Sequence, residues 1–310
     1  MSEFFEEVAG SRAAIRELGE RSSVRVTGGD RTRFLDGMLT NDVASLEPGA
    51  ACEALQLDRK GHILAEIWVI VLEDAVLLDS ASGDESALYE ILDKHIIADD
   101  VELERLPSWD RVGIEGPGAA AAIEGLGVRI PALGHFETDE RGRIWLAGGT
   151  LGPEGARVLG ERAGIEDLRQ ALGLSQLSTE AGEVLRIDAF RPAHGLDFGE
   201  RNFPQEARLE GLVSFTKGCY VGQEIVARIE SRGAVNRLLV KLRAEAPVTS
   251  GAEIRAGGAS VGRVTSAAVS DESGPIAIGY VRTSVAEPGS SVEIGGIPGT
   301  VTGPDSTARG

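Results

Sequence analysis

The sequence predicts an α+β fold: two related α/β halves followed by a small antiparallel β-barrel. Three observations carry this reading. Val24, Val26 and Gly28 are matched by Val112, Ile114 and Gly116 at a constant offset of 88. The hairpin sequence "RKGHIL" at 59–64 is matched by "ERGRIW" at 140–145, at an offset of 81. From Val240 onward glycine and serine rise, and short alternating runs with Gly/Pro turns appear, the pattern of a small barrel. The chain then divides into 1–107, 108–239 and 240–303, with a polar tail at 304–310 expected to be disordered. Two unrelated small sheets would give a similar order of elements. The ordered, shrinking offsets favour a duplication.

Each element follows from local pattern. "MSEFFEEVAGSRAAIRELGE" reads as an acidic helix ending near Gly19. "SVRVTG" alternates and reads as a strand. "GDRTRFLDGMLTNDV" reads as a helix with Asp30 at its N-cap. "CEALQLDRKGHILAEIWVIVLEDAVLLD" gives three strands, with turns at "DRKG" and "ED". The helix "ESALYEILDKHI" and the strand "DVELERL" complete the first half. "RVGIEGPGAAAAIEGLG" opens the second half with strand, glycine turn and helix, and "ARVLGERAGIEDLRQAL" echoes the strand–helix pair of Val76 to Leu92. Each half is thus a strand–helix–strand–strand–strand–helix unit. A helix near "LSTEAGEVLRIDAF" precedes the irregular stretch "RPAHGLDFGERNFPQEARLEG". Connections of this length without regular structure are commonly functional.

Composition excludes several classes. The chain has 310 residues and a formal net charge of −18, which argues against non-specific binding to nucleic acid. No apolar run is long enough to cross a bilayer as a helix. The first residues lack the basic-then-apolar layout of a signal peptide, so a cytoplasmic location is expected. Cys52 and Cys219 are the only cysteines, and two distant thiols read as reduced residues. There is no Walker A loop, no GxGxxG after a strand and no HExxH. His62, His95, His135 and His194 have no metal-like spacing and read as surface or turn residues. "GASVG" at 258–262 fits GxSxG, but among short strands it reads as a hairpin turn.

Charge is unevenly placed. Between Lys217 and Arg243 lie six basic residues and two acidic ones, net +4, so the remainder is −22. This suits either a solvated strand face or a small anionic ligand. Asp188 lies within the apolar pattern of "LRIDAF", and a carboxylate there requires a partner. Either a nearby arginine pairs with it, or it accepts from a ligand with a two-donor edge, such as a pterin. In "SFTKGCYVGQEIVAR" at 214–228, Gly218 and Gly222 permit positive φ or close approach. Lys217 beside Cys219 suits a reactive thiolate. A buried cysteine in a turn is the plainer alternative, and the density of polar residues favours a site.

These segments resemble the glycine-cleavage T-protein superfamily, and within it the YgfZ-type folate-binding proteins. The likeness runs nearly end to end. It is carried by "GDRTRFLDGMLTNDV", "LDRKGHILAEIWV", "LRIDAFRPAHGLDFGERNFPQEA" and "VGRVTSAAVSDESGPIAIGYV", and most specifically by "KGCYVGQE". The resemblance implies three domains in a ring around tetrahydrofolate or a derivative. It implies Asp188, Glu206 and Arg228 as cofactor-binding residues, and Cys219, Lys217 and Glu66 as the chemically active ones. It also implies support of iron–sulfur cluster assembly or repair in client proteins, with effects on tRNA modification through those clients. No direct contact with nucleic acid or membrane is expected. The chain departs from the T-protein pattern twice. Ala65-Glu66 replaces the hairpin's acidic pair, and T-proteins lack "KGCYVGQE". Folate-dependent aminomethyl transfer with Glu66 as the acid is therefore a rival, and a non-enzymatic docking module is a second.

Overall fold

A computed structural model describes residues 5–6, 10–19, 22–81, 86–152, 154–233 and 235–303. The tail expected at 304–310 lies outside these. The described residues fall into two compact units: Met1–Arg59, Leu64–Ser178 and Leu212–Gln223 form one, and Lys60–Ile63, Thr179–Gly211 and Glu224–Gly310 the other.

The first unit contains two five-stranded sheets. One has the order β3-β4-β5-β2-β6, built from β2 (Ser22–Thr27), β3 (Ala51–Leu57), β4 (Ile63–Val71), β5 (Val76–Ser80) and β6 (Glu102–Arg105). The other has the order β8-β9-β10-β7-β1, built from β7 (Trp109–Glu115), β8 (Phe136–Thr138), β9 (Ile144–Ala147), β10 (Gly155–Glu161) and β1 (Ala14–Glu17). The two orders correspond strand for strand, so the halves are duplicated. Their edges meet where Ala51 N–H donates to Gly134 O at 2.8 Å and Phe136 N–H to Gly49 O at 3.1 Å.

Only the fifth strand differs in origin. β6 follows its own half, whereas β1 comes from the start of the chain. Residues 14–17, expected to be helical, pair instead with β7, Ile15 opposite Ile114. Ala, Arg and Glu are good helix formers, but propensity is a weak prior over so short a segment, and an unfilled strand edge outweighs it.

Helices cover the outer face of each sheet. Against the first lie α1 (Arg31–Met38) and α2 (Ala87–Asp93), with Leu35, Met38, Leu88 and Leu92 packed on Val24, Val26 and Ile67. Against the second lie α3 (Ala119–Glu124) and α4 (Arg162–Leu172), with Ile123, Ile165 and Leu168 packed on Val112, Ile114 and Val158. Between the sheets Trp68, Ile70 and Leu77 of one pack on Ile144, Leu146 and Leu159 of the other. The result is four layers, α/β/β/α. Because both faces of β4 are covered, its sequence is almost continuously apolar, and Glu66 interrupts it.

The matched glycines confirm the duplication. Gly28 and Gly116 both have φ +100. A Cβ on Gly28 would lie 2.1 Å from Asp100 O, and one on Gly116 would lie 2.7 Å from Arg12 O. A side chain is excluded at both by backbone conformation and by space. Ser23 and Arg111 are also related by the 88-residue offset and meet in the interior. Arg111 Nη2 donates to Ser23 Oγ at 2.9 Å and lies 3.1 Å from Asp79 Oδ1, and Ser23 Oγ donates to that oxygen at 2.6 Å.

The second unit is built on a closed barrel of order β11-β14-β13-β12-β15-β16. Its strands are β11 (Arg237–Ala244), β12 (Glu253–Ala256), β13 (Ala259–Ser270), β14 (Gly274–Arg282), β15 (Ser291–Ile294) and β16 (Ile297–Val301). Val240, Leu242, Ile254, Val264 and Val281 fill its interior. Gly257 and Gly258 turn β12 into β13, so "GASVG" is a hairpin and not a nucleophile elbow. Outside the barrel, α5 (Thr179–Asp188) and the irregular segment after it pack Ile187 and Phe190 on Leu239, Ile276 and Ile278.

Candidate functional site

The KGCYVGQE segment is a loop that ends in α6 (Gln223–Arg232). Gly222, at φ +85, turns the chain into that helix. Before it the chain runs along α1 and the residues after it. Thr40 Oγ1 donates to Leu212 O at 2.7 Å. Ser214 N–H donates to Thr40 O at 2.9 Å and Val221 N–H to Gly37 O at 3.2 Å. The Lys217 side chain is buried, its ammonium 2.9 Å from Asp36 Oδ1. Tyr220 is buried as well, and burial pushes its hydroxyl up to about 12. Between these two buried anchors Cys219 is exposed, as a free thiol.

The two cysteines therefore differ in kind. Cys52 packs against the first core, and its thiol is pushed up to about 12. Burial is the main cause and the Glu53 carboxylate adds to it, while the Lys217 ammonium works the other way. Only Cys219 combines exposure with a fixed backbone.

Glu66 lies in β4, half-buried, on the strand face that alternation shares with Trp68 and Ile70. That face looks toward the second sheet, where the Arg157 guanidinium lies 4.2 Å from the Trp68 ring centroid. Arg157 also pairs with Glu53. Glu66 thus lies on the face of β4 that looks toward the second half.

In the second unit, one face of β11 gathers two of the predicted residues. Arg237, Leu239 and Lys241 alternate onto it. Arg237 Nε lies 3.0 Å from Glu206 Oε1, and its Nη2 donates to Oε2 at 3.1 Å. Both Glu206 oxygens are therefore engaged by one guanidinium. Lys241 Nζ lies 3.0 Å from Asp188 Oδ1, and Ser273 Oγ donates to the same oxygen at 2.9 Å. Lys241 also donates to the Asp188 carbonyl. Asp188 Oδ2 has no partner among the described residues, and the side chain is 16% exposed. The partner of Asp188 is a lysine and not an arginine. Arg228 lies on α6, half exposed, 2.7 Å from Glu224 one turn away.

The basic segment is thus no solvated strand face. Its first part is loop and helix, and Lys217, Arg228, Arg237 and Lys241 each meet a carboxylate. Four of its six cations are balanced locally, which weakens the inference of an anion site from composition.

Sequence reasoning missed Asp36, Lys241 and the buried pair Arg186–Asp197. Arg186 Nη1 lies 2.5 Å from Asp197 Oδ2, with the side chains 3% and 0% exposed. Arg186 interrupts the same apolar pattern as Asp188, so that signal was present. Asp36 and Lys241 occupy ordinary polar positions and carry none.

Comparison with known proteins agrees with the fold. Residues 7–140 match the family model of the GCVT N-terminal domain, and residues 237–302 match the glycine cleavage T-protein C-terminal barrel domain. The chain is 30% identical to "tRNA-modifying protein YgfZ" of Sodalis glossinidius, over 74% of this chain and 71% of that protein. It is 28% identical to the "Probable aminomethyltransferase" of Natronomonas pharaonis, over 94% of this chain and 87% of that protein. The glycine cleavage system aminomethyltransferase T of Bartonella henselae superposes with a TM-score of 0.88 at 22% identity, covering 98% of this chain and 89% of that one. The two family models and the 30%-identical relative show that the chain belongs to the glycine-cleavage T-protein superfamily and to its YgfZ-type branch.

Proposed function

We propose that this protein binds a reduced folate and supports the assembly or repair of iron–sulfur clusters in client enzymes, reaching tRNA modification through those clients. The observation that carries this reading is the KGCYVGQE loop, which holds an exposed thiol between two buried anchors. Likeness to proteins named for tRNA modification supports it.

The residues fit a folate in one respect that matters. Lys241 and Ser273 hold Asp188 Oδ1, so Oδ2 is an oriented acceptor without a partner among the described residues. A pterin edge carries the donors such an acceptor needs. When bound, folate supplies a one-carbon carrier. Asp188 would orient the ring, Glu206 would hold Arg237 through both its oxygens, and Arg228 would exchange Glu224 for an anionic tail. An exposed surface pair of that kind is worth only about 0.3–0.5 kcal/mol. Cys219 is the soft nucleophile or metal ligand presented to the client.

The test is restoration of iron–sulfur enzyme activity in cells lacking the protein. Wild type restores it, and Cys219→Ser, folded and folate-binding, does not. Full restoration by Cys219→Ser overturns the role of the thiol and favours a docking module.

Aminomethyl transfer is the second reading. The half-buried Glu66 and the relative named an aminomethyltransferase favour it. Turnover of an aminomethyl donor with tetrahydrofolate, abolished by Glu66→Gln, would put it first.

A further inference from the structure

The Lys217 ammonium ends in a cage built by the end of α1. It lies 2.5 Å from Asp36 O, 2.9 Å from Leu39 O and 2.9 Å from Asn41 O. The fourth oxygen is Asp36 Oδ1 at 2.9 Å, and the lysine side chain is 1% exposed. An ammonium has three protons to donate and no acceptor. The last carbonyls of a helix have no donor within it and carry partial negative charge. The cage therefore satisfies both partners. The same Asp36 oxygen also accepts from Val43 N–H and Ala44 N–H, both at 3.1 Å, which fixes the carboxylate. Four residues beyond Lys217, Val221 N–H donates to Gly37 O at 3.2 Å. Cys219 lies midway between these two ties to one helix end.

We infer that Asp36 is a positioning residue for Cys219: with its own carbonyl and those of Leu39 and Asn41, at and just after the end of α1, it forms a receptor for the Lys217 ammonium, a tethered cation that fixes the thiol-bearing loop. This goes beyond a lysine acting directly on the neighbouring thiol, because its charge is met by the Asp36 carboxylate. The functional consequence rests on the role given above to Cys219, whereas the cage itself is tested without it.

The experiment uses the full chain and compares Lys217→Ala, Asp36→Asn and Asp36→Glu with wild type. Amide hydrogen exchange at Val221 reads the tie directly. Lys217→Ala and Asp36→Asn should speed it by roughly tenfold or more, as expected of a local opening, with the β2 and β5 amides unchanged. Asp36→Glu should restore part of the protection. Methylammonium added to Lys217→Ala should refill the cage and slow Val221 exchange again. Tetramethylammonium has the same charge and no N–H donors, and should not. The same variants should lose complementation in the order of their exchange rates.

Wild-type exchange at Val221 in both Lys217→Ala and Asp36→Asn overturns the cage. Equal rescue by the two ammonium ions also overturns it, because bulk charge would then account for the effect. Fast exchange at Val221 with full complementation by Lys217→Ala overturns the positioning role. Complementation by Cys219→Ser overturns the role of the thiol, and the exchange result then tests the cage alone.

Discussion

Lys241 Nζ lies 3.0 Å from Asp188 Oδ1 and leaves Oδ2 without a partner among the described residues. A lysine on one strand of the barrel thus orients a carboxylate at the end of α5. The pair is largely buried, so removing either partner leaves the other charge uncompensated. If Asp188 accepts from a pterin edge, as proposed, Asp188→Asn keeps the shape but mismatches that edge. It should weaken folate binding about tenfold or more, on the scale of ~1.5–3 kcal/mol for a charge-assisted hydrogen bond. Calorimetric titration measures this, and an unchanged Kd removes Asp188 from the site.

Glu66 separates the two leading functions. If the protein supports iron–sulfur clients without aminomethyl transfer, Glu66→Gln retains complementation. General acid–base catalysis contributes about 10²–10⁴-fold. A loss of that size in a one-carbon transfer assay would reverse the order of the two readings.

The thiols should be distinguishable in the native protein. Cys219 is exposed, while the Cys52 thiol is pushed up to about 12. Iodoacetamide near neutral pH should label Cys219 alone, with Cys52 labelled only after denaturation, as mass spectrometry of the two peptides will show. Early labelling of Cys52 would contradict its burial. The raised value also has a stability consequence. Above the ordinary thiol range the unfolded chain loses a proton that the folded chain keeps. The contribution of Cys52 is therefore complete at neutral pH and is lost as pH rises toward about 12. Urea midpoints should fall less between neutral and alkaline pH in Cys52→Ala than in wild type.

The duplicated turns should be equally intolerant. Gly28→Ala and Gly116→Ala each place a methyl against backbone at φ +100. Each should cost about 1–3 kcal/mol, the scale of a strained backbone residue, read as a lower urea midpoint. A neutral Gly116→Ala would mean that the second half does not need the turn of the first.

Most of the fold was legible in the sequence, because strands and helices write their periodicity locally. The offsets of 88 and 81 gave the duplication, and turn glycines gave the hairpins. The short runs after Val240 gave the barrel. The KGCYVGQE segment marked itself as the candidate site, since so many polar groups do not gather between apolar residues without partners.

Tertiary structure decided the rest. It took residues 14–17 away from a helix and used them to fill the edge of β7, because an open ladder of hydrogen bonds outweighs a weak propensity. It assigned Lys217 to Asp36 and Lys241 to Asp188, across separations of 181 and 53 residues. Sequence shows that a buried charge needs a partner. Which carboxylate supplies it depends on how the chain folds back on itself, and no local pattern carries that information.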